Sequence, residues 1–406
     1  REYLARALEL DPYLSEAHSH AIVISALIDN DFEGARSAFE KAIEYGPSNW
    51  PAHNAFGMAL NNRGQYIEAI DVLGRGLELN PYKPEPWLRF NLGSAHMSLG
   101  QYDKGMQLLA ANFSDNKGTS LESQVVTQFG NAPLFWGRYD EAIAVFEIAI
   151  RDGNDGARIR GLLAHSLLAV GDIKTAATQV THGEAIVAEQ RAAGRTMNPS
   201  FWAVEDAHKL LDMATNNMEH LLAEQKRILS TIETSQGTWS EIRIFDAGLR
   251  AIILRRWEEA ATLMDNFTVD LGNRSPENFS YAAYAYQKIG NTEKAEFHLR
   301  EGRSELEKIL RVPHPTIREH METSLMEAVA GRTDETIDAL RSAYELGFRD
   351  HAYLVYMPLY DPVRGDPRFL DLLRTMRADT KQMLERVKKA RASGDWESLI
   401  ARHFGS

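Results

Sequence analysis

The residues best equipped for chemistry are thirteen histidines, and their spacing decides what chemistry is open to them. A zinc-hydrolase helix would read His-Glu-x-x-His, with two imidazoles one turn apart on one face and a carboxylate base between them. That pattern is absent. The nearest arrangement, His314 with Glu319 and His320, straddles Pro315 where a helix should begin, and helix capping with solvent exposure accounts for it. No phosphate-cradling glycine loop, dinucleotide fingerprint or Gly-x-Ser-x-Gly turn occurs. The adjacent carboxylates Glu258 and Glu259 fall on an expected helix surface, where solvation is their ordinary state. Phe279, Tyr281, Tyr284 and Tyr286 have partly helical spacing and are expected to pack between elements rather than to line a cofactor site. The sequence therefore assigns no catalytic residue, no cofactor and no metal ligand.

Composition narrows the partners. Across 406 residues there are 45 basic and 57 acidic side chains, without a basic stripe of the kind that neutralises phosphates. This argues against nucleic acid and against an anionic membrane surface. No run of about 18 apolar residues is present, and the first residues lack the charged and apolar regions of a signal peptide. The absence of cysteine removes disulfides and thiolate metal sites and suits a reducing compartment. A cytoplasmic location is the expectation.

The elements that must position any site announce themselves by spacing. Phe32, Tyr66, Tyr102, Tyr139 and Ile173 are separated by 34, 36, 37 and 34 residues. Three residues after each comes a small side chain (Ala35, Ala69, Gly105, Ala142, Ala176), and four further on a larger apolar one (Phe39, Leu73, Leu109, Phe146, Val180). Residues three and four apart share a helix face. Each marker should thus open a helix whose small residue lets another helix backbone come close. Asn30, Gly64, Gly100, Gly137 and Gly171 precede the markers as left-handed helix ends prefer, and Pro12, Pro47 and Pro81 stop the early second helices. The pattern loosens after Ile173. Its helix runs to about Arg191, and a degenerate pair follows, Phe201 to Ala214 and Met218 to Ile232. Trp257, Thr292 and Thr333 mark the later second helices.

The stretch from Trp50 to Pro81, with Phe56-Gly57, Leu60, Tyr66, Ala69, Leu73 and Gly76, resembles the tetratricopeptide repeat (TPR) family. The resemblance implies an all-α fold, a right-handed TPR superhelix (α-solenoid) of about nine helix pairs with a C-terminal helical cap. The expected divisions are a regular array over 1–196, more degenerate repeats over 197–346, and capping and terminal helices over 347–406. Solenoids need polar caps at their ends, which is the role expected of that tail. Tyr360 to Phe369 resembles the closing motif of TPR regions in bacterial signalling proteins. The alternative it implies is a regulatory region following an adenylyl cyclase, protein kinase or winged-helix transcription regulator.

In such an array the first helices line a concave groove that binds a protein or peptide. The groove positions expected here are Asn54, Met58 and Asn61, then Trp87 and Phe90, then Gln124 and Asn131, with Asn62, Ser94, Met97, Thr127 and Leu134 beside them. Asparagine offers a donor and an acceptor to a peptide backbone, and the two aromatic rings offer flat apolar area. The basic positions of the family's carboxylate-gripping members read His20, Trp87 and Asn91, which disfavours that mode. The half-repeat from Arg1 to Pro12 leaves an apolar edge that a second copy could cover. The chain as a whole reads as a non-catalytic interaction scaffold.

Overall fold

The computed structural model of the chain describes residues 1–29, 31–80, 85–194, 199–232, 238–311 and 314–404, and over these every regular element is helical. Helix α1 (Glu2–Leu10) precedes nine consecutive pairs. These are α2 (Ser15–Val23) and α3 (Phe32–Tyr45); α4 (Trp50–Asn62) and α5 (Tyr66–Leu79); α6 (Pro86–Ser98) and α7 (Tyr102–Asn116); α8 (Glu122–Phe135) and α9 (Tyr139–Arg151); α10 (Ala157–Ala169) and α11 (Ile173–Ala192); α12 (Pro199–Thr215) and α13 (Met218–Ile232); α14 (Thr238–Ile253) and α15 (Trp257–Asp265); α16 (Pro276–Lys288) and α17 (Thr292–Ile309); α18 (Ile317–Val329) and α19 (Thr333–Glu345). Two further helices follow, α20 (His351–Tyr356) and α21 (Pro367–Ser393). This is the all-α solenoid architecture that the resemblance implies.

Every marker residue opens a second helix, and the reason is local. Asp31, Asp172 and Asn291 sit just ahead and accept from the backbone N–H of Gly34, Thr175 and Lys294, satisfying donors that a helix start leaves free. The small positions Ala35, Ala69, Ala142 and Ala176 are completely buried. Gly57 meets Leu73 so closely that a Cβ there would overlap its side chain. The preceding turns pass through the left-handed region at Gly64, Gly100 and Gly171. In two degenerate repeats the same conformation falls on Asn216 (φ 56°) and Arg255 (φ 57°), where a side chain is strained. Asn30 and Pro81 lie outside the described residues.

The chain forms two compact units. The first comprises Arg1–Ala132 with His314 and the C-terminal residues from Ile400. Within it α2 packs on α4 and α4 on α6, with α3 and α5 against the next first helix. Phe39 stacks on Phe56 at 4.5 Å, and His403 and Phe404 return edge-on to Tyr102 and Phe129.

The second unit comprises Pro133–Arg311 and Pro315–Leu399. Here α10 packs on α12 and α16 on α18, and one core joins Ala260, Tyr281, Tyr284, Leu340, Tyr360 and Phe369. The tail does more than cover the last pair. α21 packs on α19 and α20 at one end of this unit and on α9 at the other. Arg386 and Arg391 of α21 donate to Asp140 and Asp172 at 2.6 and 2.8 Å, and Arg151 donates to Glu397 at 2.6 Å. Where α8 ends, Gly137 lies against the Gly347 carbonyl, and a Cβ at that point would overlap the backbone. The last turns of this unit therefore close onto its first.

Candidate functional site

The seven residues expected to line the groove all lie on the first helices α4, α6 and α8. Asn54 Oδ1 accepts from Asn91 Nδ2 at 2.8 Å, and Asn61 Nδ2 donates to the Asn91 carbonyl at 2.9 Å. These amides stitch α4 to α6, so Asn54 and half of Asn61 are already engaged. The Oδ1 atoms of Asn61 and Asn131 and both amide atoms of the neighbouring Gln128 are buried without a hydrogen-bond partner among the described residues. A buried, unmet polar atom is costly and calls for an explanation. Trp87 keeps 46 % of its surface exposed and meets Phe90 edge to face, with centroids 5.7 Å apart. Met58 and Gln124 are half-buried.

Met97, Thr127 and Leu134, expected beside these residues, are buried instead. Met97 fills the space that Gly105 leaves on the facing helix. Of the three positions that would grip a carboxylate, His20 is exposed, Trp87 is apolar, and Asn91 is buried on Asn54.

The first helices of the second unit carry a different surface. Lys209 of α12 donates to Asp246 of α14 at 3.0 Å and pairs with Asp206 at 2.7 Å, and Arg250 donates to Asp246 at 2.9 Å. Burial alone would push the Lys209 ammonium down, but the two carboxylates outweigh it and raise its pKa. Further along, Tyr281 of α16 donates to Glu277 at 2.6 Å and meets the Tyr353 hydroxyl at 3.2 Å. Arg318 of α18 reaches Glu322 at 3.0 Å while 71 % of its side chain stays exposed. Burial raises both Glu277 and Glu322. The signal for this network was present in the sequence as opposite charges three and four residues apart at 206/209 and 246/250, a spacing that also occurs by chance on any polar helix face.

The remaining chemical candidates have structural roles. Glu319 accepts from the Thr316 backbone N–H at 2.7 Å in a capping box, which engages its carboxylate. Glu258 is exposed, and Glu259 is held by Arg256 and Gln225. Phe279, Tyr281, Tyr284 and Tyr286 are buried, with Tyr284 donating to the Pro358 carbonyl and Tyr286 to Asp265.

With the helix pairs and their first-helix faces in place, the likeness to known proteins falls on one of those pairs. Residues 38–71, from the middle of α3 into α5, match the family model for the tetratricopeptide repeat. The chain carries a tetratricopeptide repeat over that stretch. The TPR chain is 27 % identical over 135 residues to the protein SGT1 homolog of Oryza sativa subsp. japonica, which is 33 % of this chain and 34 % of that protein. It is 32 % identical over 87 residues to the BBSome complex member BBS4 of Xenopus tropicalis, 21 % of this chain and 16 % of that protein. The TPR chain thus spans about a third and about a sixth of the lengths of these relatives. The crystal structure of a tetratricopeptide repeat protein from Parabacteroides merdae ATCC 43184 covers 85 % of the TPR chain and 98 % of its own, at 10 % identity and a TM-score of 0.30. Among the described residues, no helix is long and apolar enough to cross a membrane.

Proposed function

We propose that the TPR chain is a non-catalytic interaction scaffold that holds an extended protein segment along the first-helix face of its first unit. One observation carries the reading: a half-exposed Trp87 braced by Phe90, on a face it shares with the half-buried Met58 and Gln124. Aromatic side chains with apolar area on offer are the usual anchors of protein interfaces. That one relative is described as a member of a complex supports an interaction role. A cytoplasmic location belongs to the same proposal, as does self-association through α1, where Tyr3 is 91 % and Leu10 71 % exposed.

The test is a displayed peptide library selected against the full chain. Enrichment of sequences with an apolar anchor, lost on Trp87→Ala with Asn61→Ala, supports the reading. Selected peptides that bind both forms equally would overturn it.

A further inference from the structure

A cluster of side chains in the degenerate pair has the make-up of a metal site. His208 and Asp212 stand four residues apart on α12, and His220 faces them from α13 across the turn at Asn216 and Asn217. Their ligand atoms lie within 4.8 Å of one another. His208 Nε2 is 3.8 Å from Asp212 Oδ1, and His220 Nδ1 is 2.7 Å from Asp212 Oδ2. Two atoms bound at about 2.0–2.1 Å to a tetrahedral ion stand roughly 3.3 Å apart, so the two separations bracket that value.

The surroundings fit as well. Glu184 of α11 accepts from His208 Nδ1 at 2.5 Å, which places a proton on Nδ1 and makes Nε2 the ring nitrogen turned towards Asp212. A carboxylate behind an imidazole in this way is how proteins orient a metal-binding histidine. Asn217 Nδ2 donates to Asp212 Oδ1 at 3.1 Å and fixes the carboxylate. Asp212 is 2 % exposed, and its ion-pair partners are the two imidazoles, with no lysine or arginine paired to it among the described residues. A nearly buried carboxylate with no lysine or arginine beside it is a place that a cation can fill.

We infer that His208, Asp212 and His220 bind a divalent late transition-metal ion, zinc foremost. Two imidazoles exclude the hard cations calcium and magnesium, and one carboxylate completes a donor set that zinc accepts, with water in the open position. The rings now stack at 4.4 Å and 16°. His220 Nδ1 donates to Asp212 Oδ2 in the empty site; on binding, the ion displaces that proton to solvent and the rings tilt so that both nitrogens meet it, for which His220, with 37 % of its side chain exposed, has room. The ion then ties α12 to α13 in a pair whose turn lacks a glycine, and its binding free energy adds to the stability of that pair.

The test uses the untagged full chain, stripped with a chelator and titrated with zinc by calorimetry and with cobalt(II) by visible absorption. The expected result is one equivalent of zinc and ligand-field bands from bound cobalt that zinc displaces. His208→Gln and His220→Gln should abolish both, Glu184→Gln should weaken zinc affinity by about tenfold, and His320→Gln should change nothing. If His208→Gln fails to fold by circular dichroism, the half-exposed His220→Gln decides. No zinc equivalent in the parent chain, or undiminished binding in a folded His220→Gln variant, overturns the inference.

Discussion

Arg386 of α21 donates to Asp140 of α9 at 2.6 Å, joining residues 246 apart in the sequence. Asp140 is nearly buried, and its other carboxylate oxygen has no partner among the described residues. Removing the guanidinium leaves that buried oxygen pair without its donor, a loss of about 1–3 kcal/mol. Arg386→Ala should therefore destabilise the second unit by that amount. Amide exchange should accelerate in α9 and α21 together, since stability is lost from cooperative blocks. Acceleration confined to α21 would show that the tail merely covers the last pair.

The repeat was legible because its constraint is local. Phe32, Tyr66, Tyr102, Tyr139 and Ile173 each open a helix, and the small residue three places on must be small wherever two backbones approach. The closure of the second unit was not legible. Arg386 and Asp140 are ordinary surface residues by type, and no helical period links positions so far apart. Among the groove residues, Trp87 stands exposed, whereas Met97 turned inward because Gly105 opposite it left a space. That depends on the pairing of two helices and not on either alone. The histidine cluster was hidden for a related reason: His208 and Asp212 share a face of α12, but His220 joins them only once the Asn216 turn is formed.

Trp87 and Phe90 supply the apolar area of the proposed groove. Since Trp87 is half-exposed in the free chain, its truncation should scarcely alter folding. Trp87→Ala should instead weaken a selected peptide by about 2 kcal/mol, roughly thirtyfold, measured by calorimetry with the thermal midpoint as control. Equal losses of folding and binding would assign the ring to packing between repeats.

Asp246 makes the stability of the second unit depend on acid. Burial pushes its carboxyl up, but Lys209 and Arg250 more than offset this and hold it at about 2, below its ordinary 3.8. A folded value below the unfolded one means that the carboxylate stabilises the fold above about pH 4. That contribution, about 2 kcal/mol for the shift, fades as the pH falls towards 2. Asp246→Asn should thus unfold at lower temperature than the parent chain at pH 5, with the difference closing near pH 2. A difference that stays constant through this window would mean that the pair with Lys209 contributes nothing by charge.

Two glycine substitutions separate helix propensity from helix approach. Gly74 lies inside α5 with nothing within 4 Å of where a Cβ would stand. Gly74→Ala should stabilise the first unit by about 0.5–1 kcal/mol through the lower backbone entropy of alanine. Gly161 of α10 faces the Ala203 carbonyl and the Val204 backbone nitrogen of α12, both closer than any Cβ tolerates. Backbone cannot rotate away as a side chain can, so Gly161→Ala should push the two first helices apart and cost about 1–3 kcal/mol. Thermal unfolding of the two variants beside the parent chain checks both signs. A neutral Gly161→Ala would mean that α10 and α12 can separate freely, and the close nesting of helix pairs would not be what holds the second unit together.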